Sequence, residues 1–236
     1  MAKNNKQTKK MTKKNNKKEK RVQIHRKTKK NKLFNIPNYA QKEEFTSSAA
    51  CALMVLGYLN KKTQMKKENE FKIWRETVSG SVWHGSRYGL AYALAKRGAR
   101  PEIITNTADE GFERRIAVYE GININTLSAS FNEIKNKTRD LNIKESVLQN
   151  IDLGKIKEQI NNNRIPIVLV NANELNPYME KSPHWVVVKG YDNDSIYIND
   201  PYQDNTVVMT QDLFKKMLGY ENNIHIISVN ARKFNK

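Results

Sequence analysis

The chain has 236 residues, with 42 Lys+Arg against 24 Asp+Glu and a formal charge of +18. Residues 1–32 hold 15 of those basic side chains and a single acid, Glu19. The other 204 residues are nearly balanced at +4, which excludes reading the whole chain as a basic nucleic-acid-binding domain. One cysteine, Cys51, excludes an internal disulfide framework and fits a reducing compartment. The chain also has neither an apolar run of about 18 residues nor the apolar region of a signal peptide, so we expect a cytoplasmic protein with no transmembrane segment.

Residues 1–32 are Lys, Asn, Gln and Thr with almost nothing apolar beyond Val22 and Ile24, and are expected to be a disordered basic tail. Such a tail serves either as an electrostatic arm for nucleic acid, ribosomes or an anionic surface, or as a solubilising extension. A single domain over 33–236 follows, beginning at Leu33-Phe34-Asn35-Ile36. Thr46-Ser47-Ser48 offers N-cap hydroxyls to a helix over 48–59. That helix is apolar on nearly every face and so belongs in the middle of a core. Met65 to Thr77 reads as a more amphipathic helix with Phe71 and Trp74 on its core side. Gly89 to Arg97 reads as another, stopped by Gly98. Pro101 to Thr105 is a strand; 109–120, 126–141 and Lys155 to Asn162 are helices; Ile167 to Val170 is a strand.

The period then changes. His184 to Tyr191 is a strand, Asp192-Asn193-Asp194 a turn, and Ser195 to Asn199 the returning strand. Asn205 to Met209, a helix over Gln211 to Leu218, and Ile224 to Val229 complete the chain. Helices followed by an antiparallel sheet give an α+β class. No internal repeat occurs, and no metal-ligand spacing such as CxxC or HExxH, so neither metal nor organic cofactor is implied.

His184 opens its strand and Asp200, before Pro201, closes the partner strand. A three-residue loop at 192–194 pairs Tyr191 with Ser195 and brings His184 and Asp200 to the same end and the same face. A four-residue loop places them on opposite faces. An Asp that fixes an imidazole's tautomer is half of a nucleophile–base–orienter arrangement. The missing nucleophile belongs at the N-terminus of a buried helix, where unpaired N–H groups favour a developing anion; Ser47 stands there. Gln41, six residues earlier, can supply an amide donor to an oxyanion. Each of these residues also has a plain structural reading: an N-cap, a polar loop residue, a hydrogen-bonding histidine and an Asp-Pro turn. His84 either lines the cleft or is structural, and Cys51 reads as a small core residue.

The segment IPNYAQKEEFTSSAACALMVLGYL resembles the opening of the bacteriocin-processing, double-glycine peptidase-like family of papain-like cysteine peptidases (family thirty-nine). SPHWVVVKGYDNDSIYINDP looks like that family's histidine and Asp-Pro strands. WRETVSG with HGSRYGLAYALAKRGARPEI resembles the middle of its stand-alone intracellular branch. The resemblance implies a papain-like fold, with a helical half, an antiparallel sheet half and a cleft between them. It also implies a peptide or protein substrate, Gln41 as the oxyanion glutamine, His184 as the general base and Asp200 as the orienter. The family's cysteine falls on Ser47, and the Gly-Pro after it on Ser48-Ala49. Three functions follow. One is a peptidase-like hydrolase acting on peptide or isopeptide bonds through Ser47, His184 and Asp200. The second is a catalytically inactive papain-like domain that binds peptides or a partner protein. The third is a nucleic-acid- or ribosome-associated protein acting through its tail.

Overall fold

The computed structural model describes residues 32–80, 82–178 and 180–234. The disorder expected over residues 1–32 therefore concerns, apart from Lys32, residues outside those described. Lys32 itself is the first residue of a short strand, β1 (Lys32–Leu33), one residue before order was expected to begin.

Three helices follow: α1 (Ser47–Leu59), α2 (Lys67–Thr77) and α3 (Arg87–Ala95). Helix α1 lies where its composition puts it. Ser47 to Leu56 and Leu59 are all buried, and the helix packs on α2, on α3 and on an interior strand of the sheet. Burying an aliphatic side chain of this size contributes roughly 1.5–3 kcal/mol, so the ring of Leu53, Met54, Val55 and Leu56 is a principal source of stability. Helix α2 turns the expected Trp74 toward the core, but its most deeply buried positions are others. Glu70, Ile73 and Thr77 are buried, while Phe71 and Trp74 are only partly covered and join an aromatic cluster at the domain's edge.

The remaining elements are β2 (Pro101–Thr105), α4 (Gly111–Tyr119), α5 (Ile124–Asp140), β3 (Glu145–Val147), α6 (Leu153–Asn161), β4 (Arg164–Asn171), α7 (Ala172–Leu175), β5 (Pro183–Tyr191), β6 (Ser195–Asp200), β7 (Asn205–Thr210), α8 (Gln211–Met217) and β8 (His225–Asn230). Strand β3 and the single turn of α7 carry no periodic signal in the sequence. The strands form one sheet in the order β3-β2-β8-β4-β5-β6-β7, with β1 added to the far end of β5. Every pairing is antiparallel except β2 with β3. The class is α+β as expected, a helical half packed on a largely antiparallel sheet.

The β5–β6 hairpin has a register that its turn alone does not reveal. Tyr191 pairs with Ile196, so the loop holds four residues rather than three. A bulge between Val188 and Gly190 then restores Val187 opposite Asn199. The extra residue, Lys189, gives its carbonyl to the Phe34 N–H at 2.8 Å, so the bulge also anchors β1. Gly190 is needed here: a Cβ on it would lie 2.4 Å from the Lys32 carbonyl oxygen. The four-residue loop and the bulge cancel, and His184 and Asp200 meet on one face.

Candidate functional site

Pro183 starts β5, and His184 and Trp185 stand at the strand end that faces the N-terminus of α1. His184 Nε2 and Asp200 Oδ1 lie 2.8 Å apart, with both side chains almost fully buried. The same carboxylate oxygen accepts the Tyr202 N–H at 3.0 Å, the tight Asp-Pro turn closing back on its own side chain. Nε2 is the ring nitrogen that faces Asp200, which leaves Nδ1 as the nitrogen available to another group. Among the described residues, Nδ1 forms no hydrogen bond.

Ser47 is the first residue of α1 and is 5% exposed. Its Oγ accepts the main-chain N–H of Trp185 at 3.3 Å, next in sequence to His184, and no hydrogen bond joins Oγ to the imidazole. One turn further along α1, the Cys51 thiol donates to the Trp185 carbonyl at 3.2 Å. Two α1 side chains thus hold both main-chain polar groups of one β5 residue, beyond the point where β6 pairs with it. Cys51 is fully buried, and that burial, with the nearby Asp200 charge, pushes its thiol well above the usual range. It is inert core, as its apolar surroundings indicated.

Gln41 lies in the loop before α1 and lines the same cleft as His184. Its backbone N–H donates to Pro201 O at 2.8 Å, which ties this loop to the Asp200 turn. Both hydrogens of its side-chain amide are taken by main-chain carbonyls, Glu43 O at 2.9 Å and Glu44 O at 3.0 Å. Its Oε1 is buried without a partner. In this arrangement Gln41 offers no side-chain hydrogen to a bound group.

Trp83 and His84, followed by Gly85, line another part of the same cleft. The Trp185 indole Nε1–H donates to Gly85 O at 3.0 Å, and a Cβ at Gly85 would come within 2.1 Å of Ser48 Oγ, so this stretch abuts α1. Glu120, just after α4 and itself in the lining, holds this stretch: Oε1 is 2.7 Å from His84 Nδ1 and Oε2 accepts the Trp83 N–H at 3.0 Å. Phe45 packs edge-on to Trp83 at 4.8 Å. The cleft, open to solvent, has a volume of about 1180 Å³, and among the described residues its lining includes Glu43, Glu44, Glu120 and Glu180 but no Lys or Arg. Among the described residues, no cluster of three or more His, Cys, Asp or Glu is arranged to hold a metal ion, and no helix is long and apolar enough to cross a membrane.

Glu70 was missed in the sequence. It is a fully buried carboxylate that accepts the Tyr39 hydroxyl at 2.8 Å, the Lys42 N–H at 2.9 Å and the Thr46 hydroxyl at 2.5 Å. The available signal was its helical spacing with Ile73 and Thr77, which puts an acid on the inward face of α2.

Residues 36–223, from the loop before Gln41 to beyond Asp200, match the model of the Peptidase C39-like family. The chain belongs to this family. The family is the one that the Gln41–Ser47 and His184–Asp200 segments resemble. Among solved structures, the chain is similar to one described as a C39-like peptidase from Bacillus anthracis. The identity is 13%, with 84% of this chain and 96% of that chain covered and a TM-score of 0.48. It is also similar to a double glycine motif protease from an AMS/PCAT transporter, solved in complex with the leader peptide. There the identity is 16%, with 84% and 94% covered and a TM-score of 0.41. No curated protein matches the chain.

Proposed function

We propose that the domain is a peptidase-like hydrolase that cleaves a peptide or isopeptide bond by acyl transfer at Ser47. The observation that carries this reading is the His184–Asp200 pair, held at 2.8 Å beside the helix N-terminus that bears Ser47. Ser47 Oγ attacks the scissile carbonyl and passes its proton to His184 Nδ1, while Asp200 holds Nε2 and stabilises the imidazolium. The negative oxygen of the tetrahedral adduct is met by N–H groups at the start of α1 and by Gln41, whose amide turns away from the Glu43 and Glu44 carbonyls to donate. His184 then protonates the leaving amine, and water releases the acyl group by the reverse path. Before attack, the Ser47 hydroxyl swings its proton toward His184. The carboxylates and aromatic rings of the cleft favour peptides with basic and apolar side chains.

The test is acyl-enzyme trapping or active-site labelling read by intact mass, with Ser47→Cys as comparison. An adduct on Ser47 in the unaltered chain supports the serine reading; activity appearing only in Ser47→Cys rejects it. A second reading is a non-catalytic domain that keeps the cleft to bind peptides or a partner protein. It is favoured by the Ser47 Oγ bond to Trp185 N–H in place of one to His184. No adduct in either form, together with peptide binding, supports it. For the basic segment over residues 1–32 we propose contact with nucleic acid or another anionic surface, independent of the cleft. Binding to RNA or anionic vesicles that falls steeply with salt and vanishes when 1–32 are deleted supports this; unchanged binding rejects it.

A further inference from the structure

Outside the His184–Asp200 pair, Glu70 is a fully buried acid of α2 that reaches into the loop before α1. All three of its hydrogen-bond donors come from one short segment: the Tyr39 hydroxyl on Oε2, and the Lys42 N–H and Thr46 hydroxyl on Oε1. Gln41 lies between the first two donors, and Thr46 immediately precedes Ser47. Among the described residues, no Lys, Arg or His forms an ion pair with Glu70, so these three donors carry its solvation. A buried carboxylate without a cation is costly unless hydrogen bonds replace its water, which makes the three donors and the acid mutually dependent. Burial first, and the hydrogen bond to Glu70 second, push the Tyr39 phenol above its usual range, so Tyr39 remains a donor.

Residues 39–46 lie outside helix and strand, and a loop of that length pays the entropy of each ordered residue. Its other fixed points are the Gln41 N–H on Pro201 O at 2.8 Å, the Gln41 amide on the Glu43 and Glu44 carbonyls, the Glu43 N–H on Thr46 Oγ1 at 3.2 Å, the Phe45 ring against Trp74 and Trp83, and the Glu43–Lys67 ion pair; Glu70 is bonded at both ends of the segment. We propose that Glu70 is a positioning residue for the reaction: from α2 it sets the segment that presents Gln41 to the cleft and Ser47 to His184. This rests on the hydrolase reading above and adds to it a residue that touches no substrate.

The chemistry of the three donors makes the inference separable from a general loss of fold. A glutamine at position 70 can still accept the Lys42 N–H and the Thr46 hydroxyl on its oxygen. Its amide nitrogen can donate to the Tyr39 hydroxyl, which is able to accept. Alanine supports none of these bonds.

In the full chain, Glu70→Ala is therefore expected to accelerate amide hydrogen exchange over residues 39–46 while β2 and β8 keep their protection. It should also slow Ser47 acylation about 10- to 100-fold through kcat, with KM within about twofold, the scale set by a misplacement of about an ångström. Glu70→Gln should restore both readouts to within about threefold of the unaltered chain. If Glu70→Ala does not fold, Tyr39→Phe combined with Thr46→Val removes two of the donors, spares the carboxylate and is expected to shift both readouts in the same direction. Unchanged exchange over 39–46, or acylation unchanged in the Ala variant, overturns the proposal. So does a Gln variant as impaired as Ala, which would point to charge rather than position. Should the unaltered chain form no acyl-enzyme, the hydrolase reading fails, and the exchange comparison still decides whether Glu70 organises the segment.

Discussion

Replacing Ser47 with alanine separates the two uses of its hydroxyl by sign. A residue kept for catalysis alone is often neutral or stabilising to remove, because functional sites carry groups that folding does not need. Here the hydroxyl also takes the Trp185 N–H at a residue 5% exposed, beyond the stretch of β5 paired with β6. Ser47→Ala leaves that N–H without an acceptor and with little access to water. Orphaning a buried donor costs about 1–3 kcal/mol, and the long 3.3 Å contact argues for the lower half of that range. For a domain of about 200 residues, a loss of about 1–2 kcal/mol lowers Tm by about 2–8 °C. The assay is thermal and urea unfolding of the full chain alongside Ser47→Ala and Ser47→Cys, with the urea midpoint read at constant m. The thiol, a weak acceptor, should fall between the other two. A Ser47→Ala protein as stable as the unaltered chain, or more so, refutes the reasoning. It would mean that the Trp185 contact contributes nothing and that the hydroxyl is free for His184.

Asp200→Asn should keep the fold while lowering any acyl transfer by about 10²- to 10⁴-fold, since the amide no longer fixes the imidazole tautomer; steady-state kinetics or labelling rate checks it. Cys51 should resist iodoacetamide in the native chain and react on denaturation, because burial holds its thiol protonated; native labelling read by intact mass would contradict its placement. His225 is fully buried and depressed well below its ordinary value, first by burial and then by the Arg87 charge. The unfolded chain therefore takes up a proton near pH 6.5 that the folded chain refuses, so stability is lost as pH falls below about 6.5, by at most about 1.4 kcal/mol per pH unit. His225→Asn, with an amide able to bond Thr105 as the ring does at 2.9 Å, should flatten the midpoint between about pH 5 and 6.5. An unchanged slope would show that His225 is not the group responsible.

How much of this was legible in the sequence depends on how local each signal was. Helix α1 was legible because a run apolar on every face has one place to go, and Cys51 followed it into the core. On α2 the large apolar Trp74 was legible and packs against the core, whereas the deeply buried Glu70 on the same helix was not. Hydrophobicity could not announce an acid whose three donors come from a loop about thirty residues earlier. The His184–Asp200 pairing was expected from a three-residue turn. The turn has four residues, and the contact survives because β5 absorbs one extra residue at Lys189. Periodicity marks the two strands, but a single-residue bulge leaves no mark in an apolar strand. The Gln41 amide illustrates a further limit. Its place beside the cleft follows from chain order, but the two carbonyls that occupy its hydrogens belong to the turn formed by Glu43 and Glu44.

The hydrogen bond that favours a non-catalytic Ser47 does not by itself forbid catalysis. A hydroxyl oxygen has two lone pairs and one proton. Accepting the Trp185 N–H uses one lone pair and leaves the other for attack, with the proton free to be given away. Donation into Oγ also stabilises the alkoxide that forms as the proton leaves, at the expense of some nucleophilicity. The deciding quantity is the direction of the proton. A neutral His184 ring whose Nε2–H donates to Asp200 has its lone pair on Nδ1, and the Trp185 main chain that grips Ser47 is continuous with His184 itself. The side to which the Ser47 hydroxyl turns its proton, toward His184 or away from it, is therefore what separates the two readings. Under the positioning role proposed for Glu70, the segment it anchors sets where Ser47 stands relative to the imidazole.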